Sequence, residues 1–338
     1  MSEARNQHFI SQVEQRLNAI NPNALPRNQR IYKLRVVDRD DRRLMLANQN
    51  GSPIKANLSL SDLFSFDVDL DGRLRENFES LFNDYEASIP IHTEGILRKL
   101  AVNSNDLKTE VIDLFAAKLI GFIRNPYSVV KVLNTFPELA QHHPTDLAMS
   151  ALYLRILAGR RPHQAYLCGK LCITDQQYEA WLRIIFMLLT PLRANYPPFF
   201  TGLIKGIFEL EDAIPFVTVY KYDNQCCLLS DRGFSHPIDQ DPNLVFDFNL
   251  CSNAFIRYAF LNHVSVFGRQ LPEAIAQGLK LGPKLVMVQY RPNDLFALDV
   301  FHRRAVEQCF ESVYCSSKTP YGVTVMPPTP VAPVQSQD

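Results

Sequence analysis

The stretch "NQHFISQVEQRLN", residues 6 to 18, carries polar side chains whose spacing suits acid–base chemistry. His8 and Gln12 are four residues apart, so a helix would place them on one face, and Arg16 would extend the same row. A histidine exchanges protons near neutral pH, a glutamine orients a water or binds an oxygen, and an arginine neutralises an anion. The pattern therefore predicts either one wall of an active site or the solvated face of a short polar helix.

A second candidate site lies at "CCLLSDRGFSHPI", where an apolar strand is predicted to end in Ser230 and Asp231. Polar residues at the end of a buried strand are where a scaffold often presents catalytic groups. The alternative is that Asp231 only caps the turn that follows. Ser230 is a weak candidate for a nucleophile because no Gly-x-Ser-x-Gly elbow surrounds it.

Two charged residues in the helical middle of the chain are also candidates. Arg124 ends a long apolar helix in "FIRNPY", and Glu86 interrupts an amphipathic helix in "NDYEASI". The arginine can project into a cleft and pair with the glutamate. The ordinary alternatives are a cation favoured by the helix dipole and a solvent-facing glutamate.

Metal and phosphate motifs are weak. His163, Cys168 and Cys172 invite a zinc interpretation, but no fourth ligand is evident, so buried thiols are the better interpretation. The pair His142–His143 favours a solvated loop, because adjacent side chains point apart. The chain has no Gly-x4-Gly-Lys-Ser/Thr loop and no strand-borne Asp followed closely by Glu-x-Lys. We therefore predict no cofactor and leave a metal ion open.

Composition limits the class of protein. The chain has 338 residues, 46% hydrophobic and 21% charged, with a net charge of +0, which indicates a globular protein larger than one ordinary domain. A chain without net charge has no overall field that attracts nucleic acid or an anionic membrane. This does not exclude a nuclease with a local basic cleft. It lacks a run of about 18 apolar residues, a secretory signal and a regular cysteine framework. We expect a cytoplasmic protein that does not bind membranes.

The fold class predicted from hydrophobic periodicity is α+β: a helical middle region between an N-terminal β-hairpin and a C-terminal antiparallel β-rich part, packed as one unit or two closely docked ones. The predicted parts are residues 1–73 (N-terminal helix plus hairpin), 74–213 (helical region), 214–315 (C-terminal α+β part) and 316–338 (disordered Pro-rich tail).

Several elements are predicted individually. The hairpin pairs "RIYKLRVVD" with "RRLMLAN", and Ser59 or Ser61 caps a helical turn. Thr145 caps one helix, and Thr174 with Gln177 forms a capping box on the next. After residue 214, "PFVTVYKY", "QCCLLSD", "LVFDFNL" and "AFIRYAFL" are strands, and "LPEAIAQGLK" and "NDLFALDVFHRRAVEQCFESVY" are helices.

Taken in order, these segments resemble a bacterial family of unknown function, DUF4238. That family opens with a His-led helix carrying a Gln, like "QHFISQVEQRLN" here. It also has a strand like "RIYKL", an aromatic turn like "LSLSDLFSFD", a Glu-bearing helix like "FESLFNDYEASI", an Arg-x-Pro helix end like Arg124–Pro126, a strand ending Ser-Asp like "LLSD", and a last helix ending like "ESVYCSS". The family usually continues with Asn-Pro, where this chain has Arg232 and Gly233. The resemblance covers most of residues 6 to 317.

The resemblance implies a site rather than an activity, because the family has no settled activity. The polar residues that match its motifs are His8, Gln12, Glu86, Arg124, Ser230 and Asp231. Family members look like accessory or defence genes of bacteria and mobile elements.

Two functional hypotheses follow. The first is a hydrolase, nuclease-like or nucleotide-directed, in a toxin-like or phage-defence role. In it His8 is the general acid or base, Asp231 orients it or holds a water, and Gln12 and Arg124 bind a phosphate or carbonyl oxygen. The second is a non-catalytic binding or regulatory protein that recognises a protein or nucleic-acid partner. They differ in whether His8 and Asp231 meet in one cleft.

Overall fold

The computed structural model describes residues 6–67, 75–104, 106–193, 195–211, 213–237, 243–262 and 285–328. The described helices are α1 (Gln12–Arg16), α2 (Glu79–Ala101), α3 (Lys108–Ile123), α4 (Val129–Thr135), α5 (Leu147–Ala158), α6 (Gln164–Leu171), α7 (Asp175–Leu189), α8 (Phe199–Phe208) and α9 (Leu295–Gln308). The described strands are β1 (Asn6–His8), β2 (Arg30–Asp38), β3 (Arg43–Leu46), β4 (Ser52–Pro53), β5 (Ser59–Ser61), β6 (Ser65–Asp67), β7 (Arg75–Asn77), β8 (Ala213–Lys221), β9 (Leu229–Ser230), β10 (Leu244–Cys251), β11 (Ala254–Asn262), β12 (Met287–Pro292), β13 (Ser312–Cys315) and β14 (Thr324–Met326). The α+β class is confirmed: helices α2 to α8 lie between N-terminal sheets and a C-terminal mixed sheet.

The opening segment is a strand followed by a short helix, so the prediction of one helix through His8 is wrong. β1 pairs antiparallel with β5, which also replaces the predicted helical turn at Ser59 and Ser61. The helix cannot start before Ser11, because the Ser11 side chain accepts a hydrogen bond from the Glu14 amide as the N-cap. His8 and Gln12 therefore belong to different elements.

One sheet joins the two ends of the chain. Its strand order is β14-β3-β2-β13-β9, in which β2 and β3 form the predicted hairpin and β13 pairs antiparallel with β2. This sheet crosses the predicted parts 1–73 and 214–315. β14 pairs parallel with β3, so the tail predicted to be disordered from Ser316 is ordered through this strand. Val323 and Val325 pack on a small apolar cluster, which explains the order. Residues 329–338 lie outside the described residues.

The second sheet has the order β10-β11-β8-β12. β8, β10 and β11 are antiparallel as predicted, but β12 pairs parallel with β8, so the C-terminal part is mixed rather than antiparallel. The predicted strand "QCCLLSD" is reduced to the two residues of β9. The predicted helix at residues 271–280 lies outside the described residues.

The last helix is shorter than predicted. α9 ends at Gln308, and the segment expected to continue it forms β13 instead. Cys309 has an extended backbone, and the Arg39 guanidinium donates to the carbonyls of Val306 and Glu307. These bonds satisfy the orphan carbonyls of the helix end, so the helix stops there.

Of the two predicted helix caps, one is confirmed and one is wrong. The capping box of Thr174 and Gln177 on α7 is confirmed. The cap of α5 is Asp146 rather than Thr145, because the Asp146 carboxylate accepts hydrogen bonds from the amides of Ala148 and Met149.

One large apolar core extends from Phe9 to Tyr314 and includes residues of the first three predicted parts of the chain. Trp181 of α7 is completely buried in it and donates its indole N–H to the Ile123 carbonyl at 2.7 Å. Among the described helices, none combines the length and apolar character needed to cross a membrane. Ile123, the last residue of α3, packs in this core, so the core fixes the helix end that Arg124 follows.

A buried histidine in α9 predicts acid sensitivity. His302 is fully buried, donates from Nδ1 to the Tyr321 carbonyl and accepts from the Leu228 amide at Nε2. Burial lowers the pKa of His302 from 6.5 to about 4. The folded state therefore binds fewer protons than the unfolded state between these values, and stability falls as the pH drops through them.

We expect this histidine to remove about 2 kcal/mol of the free energy of unfolding between pH 7 and pH 5. Urea unfolding of the wild type and of His302→Asn at both pH values checks this. The variant is less stable at pH 7, since the Leu228 amide loses its acceptor, but its stability changes less with pH. An equal pH dependence in both proteins contradicts the assignment.

Candidate functional site

His8 lies at the end of β1 with both ring nitrogens bonded. Nδ1 lies 2.9 Å from the Asn57 carbonyl oxygen, and Nε2 lies 2.9 Å from the Gln12 amide nitrogen. A carbonyl oxygen only accepts, so Nδ1 carries the proton and Nε2 holds a lone pair that accepts from Gln12. Arg16 fixes the amide by donating to Gln12 Oε1 at 2.7 Å. The bonds run in one direction, from Arg16 through Gln12 and His8 to Asn57.

The charge state of His8 follows from its surroundings. Burial lowers the pKa of His8, the bond to the Asn57 carbonyl opposes this, and the positive charges of Arg124 and Arg16 lower it further. His8 is therefore a neutral base near pH 7. The predicted contact between His8 and Gln12 exists, although a strand and a helix form it.

Arg124, the residue that follows α3, is buried, with 2% of its side chain exposed. Its Nη1 donates to Glu86 Oε1, so the structure contains the pair that the sequence suggested. The guanidinium carbon lies 5.0 Å from the centre of the Phe82 ring. Nε of Arg124 is buried and has no hydrogen-bond partner within the described part of the chain. A buried guanidinium with a free N–H can bind an acceptor that the protein itself does not supply.

Glu79, which the sequence analysis did not single out, completes the site at the start of α2. Its backbone amide donates to Asn77 Oδ1 at 3.0 Å. Its side-chain Oε1 is buried and has no hydrogen-bond partner among the residues that the structure describes. Burial raises the pKa of Glu79 to about 7, while Arg124 lowers it and Glu86 raises it. The available sequence signal was the spacing of seven between Glu79 and Glu86, which places both on one face of α2.

We call these residues the His8 cluster. Its members are His8, Gln12, Arg16, Glu79, Glu86 and Arg124. All except Arg124 are partly exposed. Arg16 also has a buried Nε that has no hydrogen-bond partner in the described ranges.

A buried ion pair holds α1 beneath the cluster. Lys118 of α3 donates to Glu14 of α1 and, at 2.8 Å, to the Asn249 carbonyl of β10. The side chains of Asn18 and Asn249 exchange hydrogen bonds of 2.8 and 3.1 Å. These contacts fix Gln12 and Arg16 relative to the end of α3.

The contacts of Asp231 agree with the alternative in which it holds a turn. Oδ1 accepts from the Phe310 amide at 2.7 Å, and Oδ2 accepts from the amides of Glu311 and Ser312 at 2.7 and 2.9 Å. Burial raises the pKa of Asp231, and these three amides lower it. The structure therefore gives the orientation of His8 to Asn57 and Gln12, and Asp231 holds the turn before β13.

Ser230 is likewise part of this turn. Its hydroxyl accepts from the Arg232 amide at 3.2 Å, and the residue is 5% exposed. The backbone carbonyl of Asp231 accepts from Asn125, the neighbour of Arg124, at 2.8 Å. Ser230 and Asp231 thus support the chain beside Arg124 without joining the His8 cluster.

The remaining candidates form no metal centre. His163 lies 2.9 Å from the buried Asp62 carboxylate, while Cys168 is buried and Cys172 is exposed. His142 lies in an exposed turn and contacts the Glu138 carbonyl at 2.7 Å. Within the described ranges, no group of three or more His, Cys, Asp or Glu side chains is arranged to hold a metal ion.

Two large cavities lie elsewhere. One of about 710 Å³ is lined by residues that include Tyr85, Ile112 and Phe208, and one of about 820 Å³ by residues that include Phe136 and Leu203. Neither is lined by a member of the His8 cluster.

Comparison of the chain with protein-family models, with curated proteins and with solved structures found no match.

Proposed function

We propose that the His8 cluster is the active site of a hydrolase that acts on a phosphate ester, with nucleic acid or a nucleotide as its substrate class. The observation that carries the proposal is a neutral histidine base beside two arginines that each keep a buried, unpartnered Nε. A base and anion-binding donors are the two requirements for attack of water on phosphorus.

The charges of the cluster favour an anionic substrate. Arg16 and Arg124 are cations, and among the described residues only Arg124 has a carboxylate partner, Glu86. With His8 neutral and Glu79 protonated, two positive charges and one negative charge leave a net charge of one positive. Guanidinium groups match phosphate oxygens in geometry and remain charged when buried.

The chemical step uses His8 as the base. His8 Nε2 takes a proton from water while the water oxygen attacks phosphorus, and Arg124 and Arg16 stabilise the charge on the equatorial oxygens. Gln12 covers Nε2 in the free protein, so its amide must turn aside when water enters. In the free protein, the bond from Arg16 holds that amide in place.

The biological setting is proposed from the resemblance to DUF4238. A toxin-like or phage-defence effector in the cytoplasm is the role that a nuclease or nucleotide hydrolase of this kind would serve. Membership of that family stays a prediction.

Replacement of His8 by alanine tests the function. Purified wild type and His8→Ala are assayed on single- and double-stranded DNA, RNA and nucleoside triphosphates, with and without added Mg²⁺. We expect the variant to lose at least about 100-fold in rate, because a positioned base contributes about 10²- to 10⁴-fold. His142→Ala, in an exposed turn, is the matched control and should retain the wild-type rate.

Growth of bacteria that express each protein provides a second readout. Toxicity of the wild type that disappears in His8→Ala supports an effector role. No hydrolysis by the wild type, with equal growth of both strains, contradicts the proposal and supports the non-catalytic binding protein instead.

A further inference from the structure

Glu79 is a half-buried acid with one buried carboxyl oxygen that the contacts of the fold do not explain. A carboxylate at the first position of a helix normally caps it or faces solvent, where the helix dipole favours the charged form. Here Oε1 is buried without a hydrogen-bond partner, and Glu86 rather than Glu79 forms the ion pair with Arg124. A buried carboxyl without a partner costs less free energy when it is protonated. The position therefore holds a proton donor next to an arginine.

We propose that Glu79 is the general acid of the His8 cluster and protonates the leaving oxygen of the phosphate ester. This inference rests on the proposed function and adds a second catalytic residue to it. Arg124 lies against the face of α2 that carries Glu79, since it forms an ion pair with Glu86, seven residues further along the helix, and its guanidinium carbon lies 5.0 Å from the Phe82 ring between them.

The proton balance of the step closes without a further reactant. His8 Nε2 removes one proton from water, the new P–O bond forms, and the bond to the leaving oxygen breaks. Glu79 gives its proton to that oxygen, so the products are a phosphate monoester and an alcohol. His8 then loses its proton and Glu79 regains one through solvent, which restores the starting state.

Protonation states set the pH range of this reaction. His8 must be neutral, and burial with the charges of Arg124 and Arg16 lowers its pKa below 6.5. Glu79 must be protonated, and burial with Glu86 raises its pKa to about 7 against the effect of Arg124. The rate should therefore rise as His8 loses its proton and fall above about pH 7 as Glu79 loses its own.

Two diesters with different leaving groups test the role of Glu79. The nitrophenolate of bis(p-nitrophenyl) phosphate leaves without protonation. The leaving group of a dinucleoside monophosphate is a nucleoside alkoxide, which needs an acid to protonate it. We expect Glu79→Gln to lose about 100-fold on the dinucleotide and less than threefold on the nitrophenyl ester. Glu94→Gln, an exposed glutamate of the same helix, is the matched control and should match the wild type on both.

The outcomes separate this inference from the function it rests on. An equal effect of Glu79→Gln on both substrates, whether no loss or the same loss, overturns the acid role while the hydrolase stands. A wild type that cleaves neither substrate overturns the proposed function. If Glu79→Gln does not fold, the wild-type pH profile decides: a decline above about pH 7 on the dinucleotide but not on the nitrophenyl ester is required.

Discussion

Replacement of Asp231 by alanine is expected to remove about 5 kcal/mol from the free energy of unfolding, because the buried carboxylate accepts hydrogen bonds from three backbone amides at once. The amides of Phe310, Glu311 and Ser312 lie 2.7 to 2.9 Å from its oxygens, and the residue is 2% exposed. Hydrogen bonds to a charged group contribute roughly 1.5–3 kcal/mol each, and alanine leaves all three donors without an acceptor. Urea or thermal unfolding measures the loss.

Two further variants sharpen this test. Asp231→Asn keeps one acceptor oxygen and should lose less than the alanine variant. Asp84→Ala, at an exposed position of α2, is the matched control and should change stability by less than about 0.5 kcal/mol. A loss below 1 kcal/mol for Asp231→Ala would contradict the structural role and return Asp231 to the candidate catalytic residues.

The elements of the fold that were predicted correctly are those with a local pattern in the sequence. Strands β2, β3, β8, β10 and β11 and helix α7 were predicted because alternation, helical periodicity and a capping box are contained in a few neighbouring residues. The strands that were missed depend on distant partners. β1 pairs with β5 about fifty residues away, and β14 pairs with β3 from the other end of the chain. No short window contains that information.

In the candidate site, too, local contacts were predictable and contacts with distant residues were not. The contact of His8 with Gln12 was predictable from a spacing of four, and it survives because Ser11 starts α1 directly after the strand. Glu79 was missed because burial, which raises its pKa, depends on packing rather than on spacing. For the Ser-Asp motif the sequence left a catalytic role and a turn open, because the amides that bind Asp231 lie about eighty residues further on.

Replacement of Lys118 by methionine is expected to remove about 4 kcal/mol of stability, since it leaves the buried Glu14 without its cation. Both side chains of the pair are at most 6% exposed, and the Asn249 carbonyl loses a donor as well. Because Glu14 lies in α1, the same loss loosens Gln12 and Arg16 beside His8. We therefore expect hydrolysis to weaken in any fraction that remains folded.

A double-mutant cycle isolates the ion pair from the other contacts of Lys118. Glu14→Leu with Lys118→Met replaces two buried charges by apolar groups, so it should be at least about 2 kcal/mol more stable than the sum of the single losses implies. Lys205→Met, at a lysine of α8 that is 72% exposed, is the matched control. Additive single losses would show that the pair contributes no coupling between α1 and α3. The position of the His8 cluster would then depend on the Asn18–Asn249 contact and apolar packing alone.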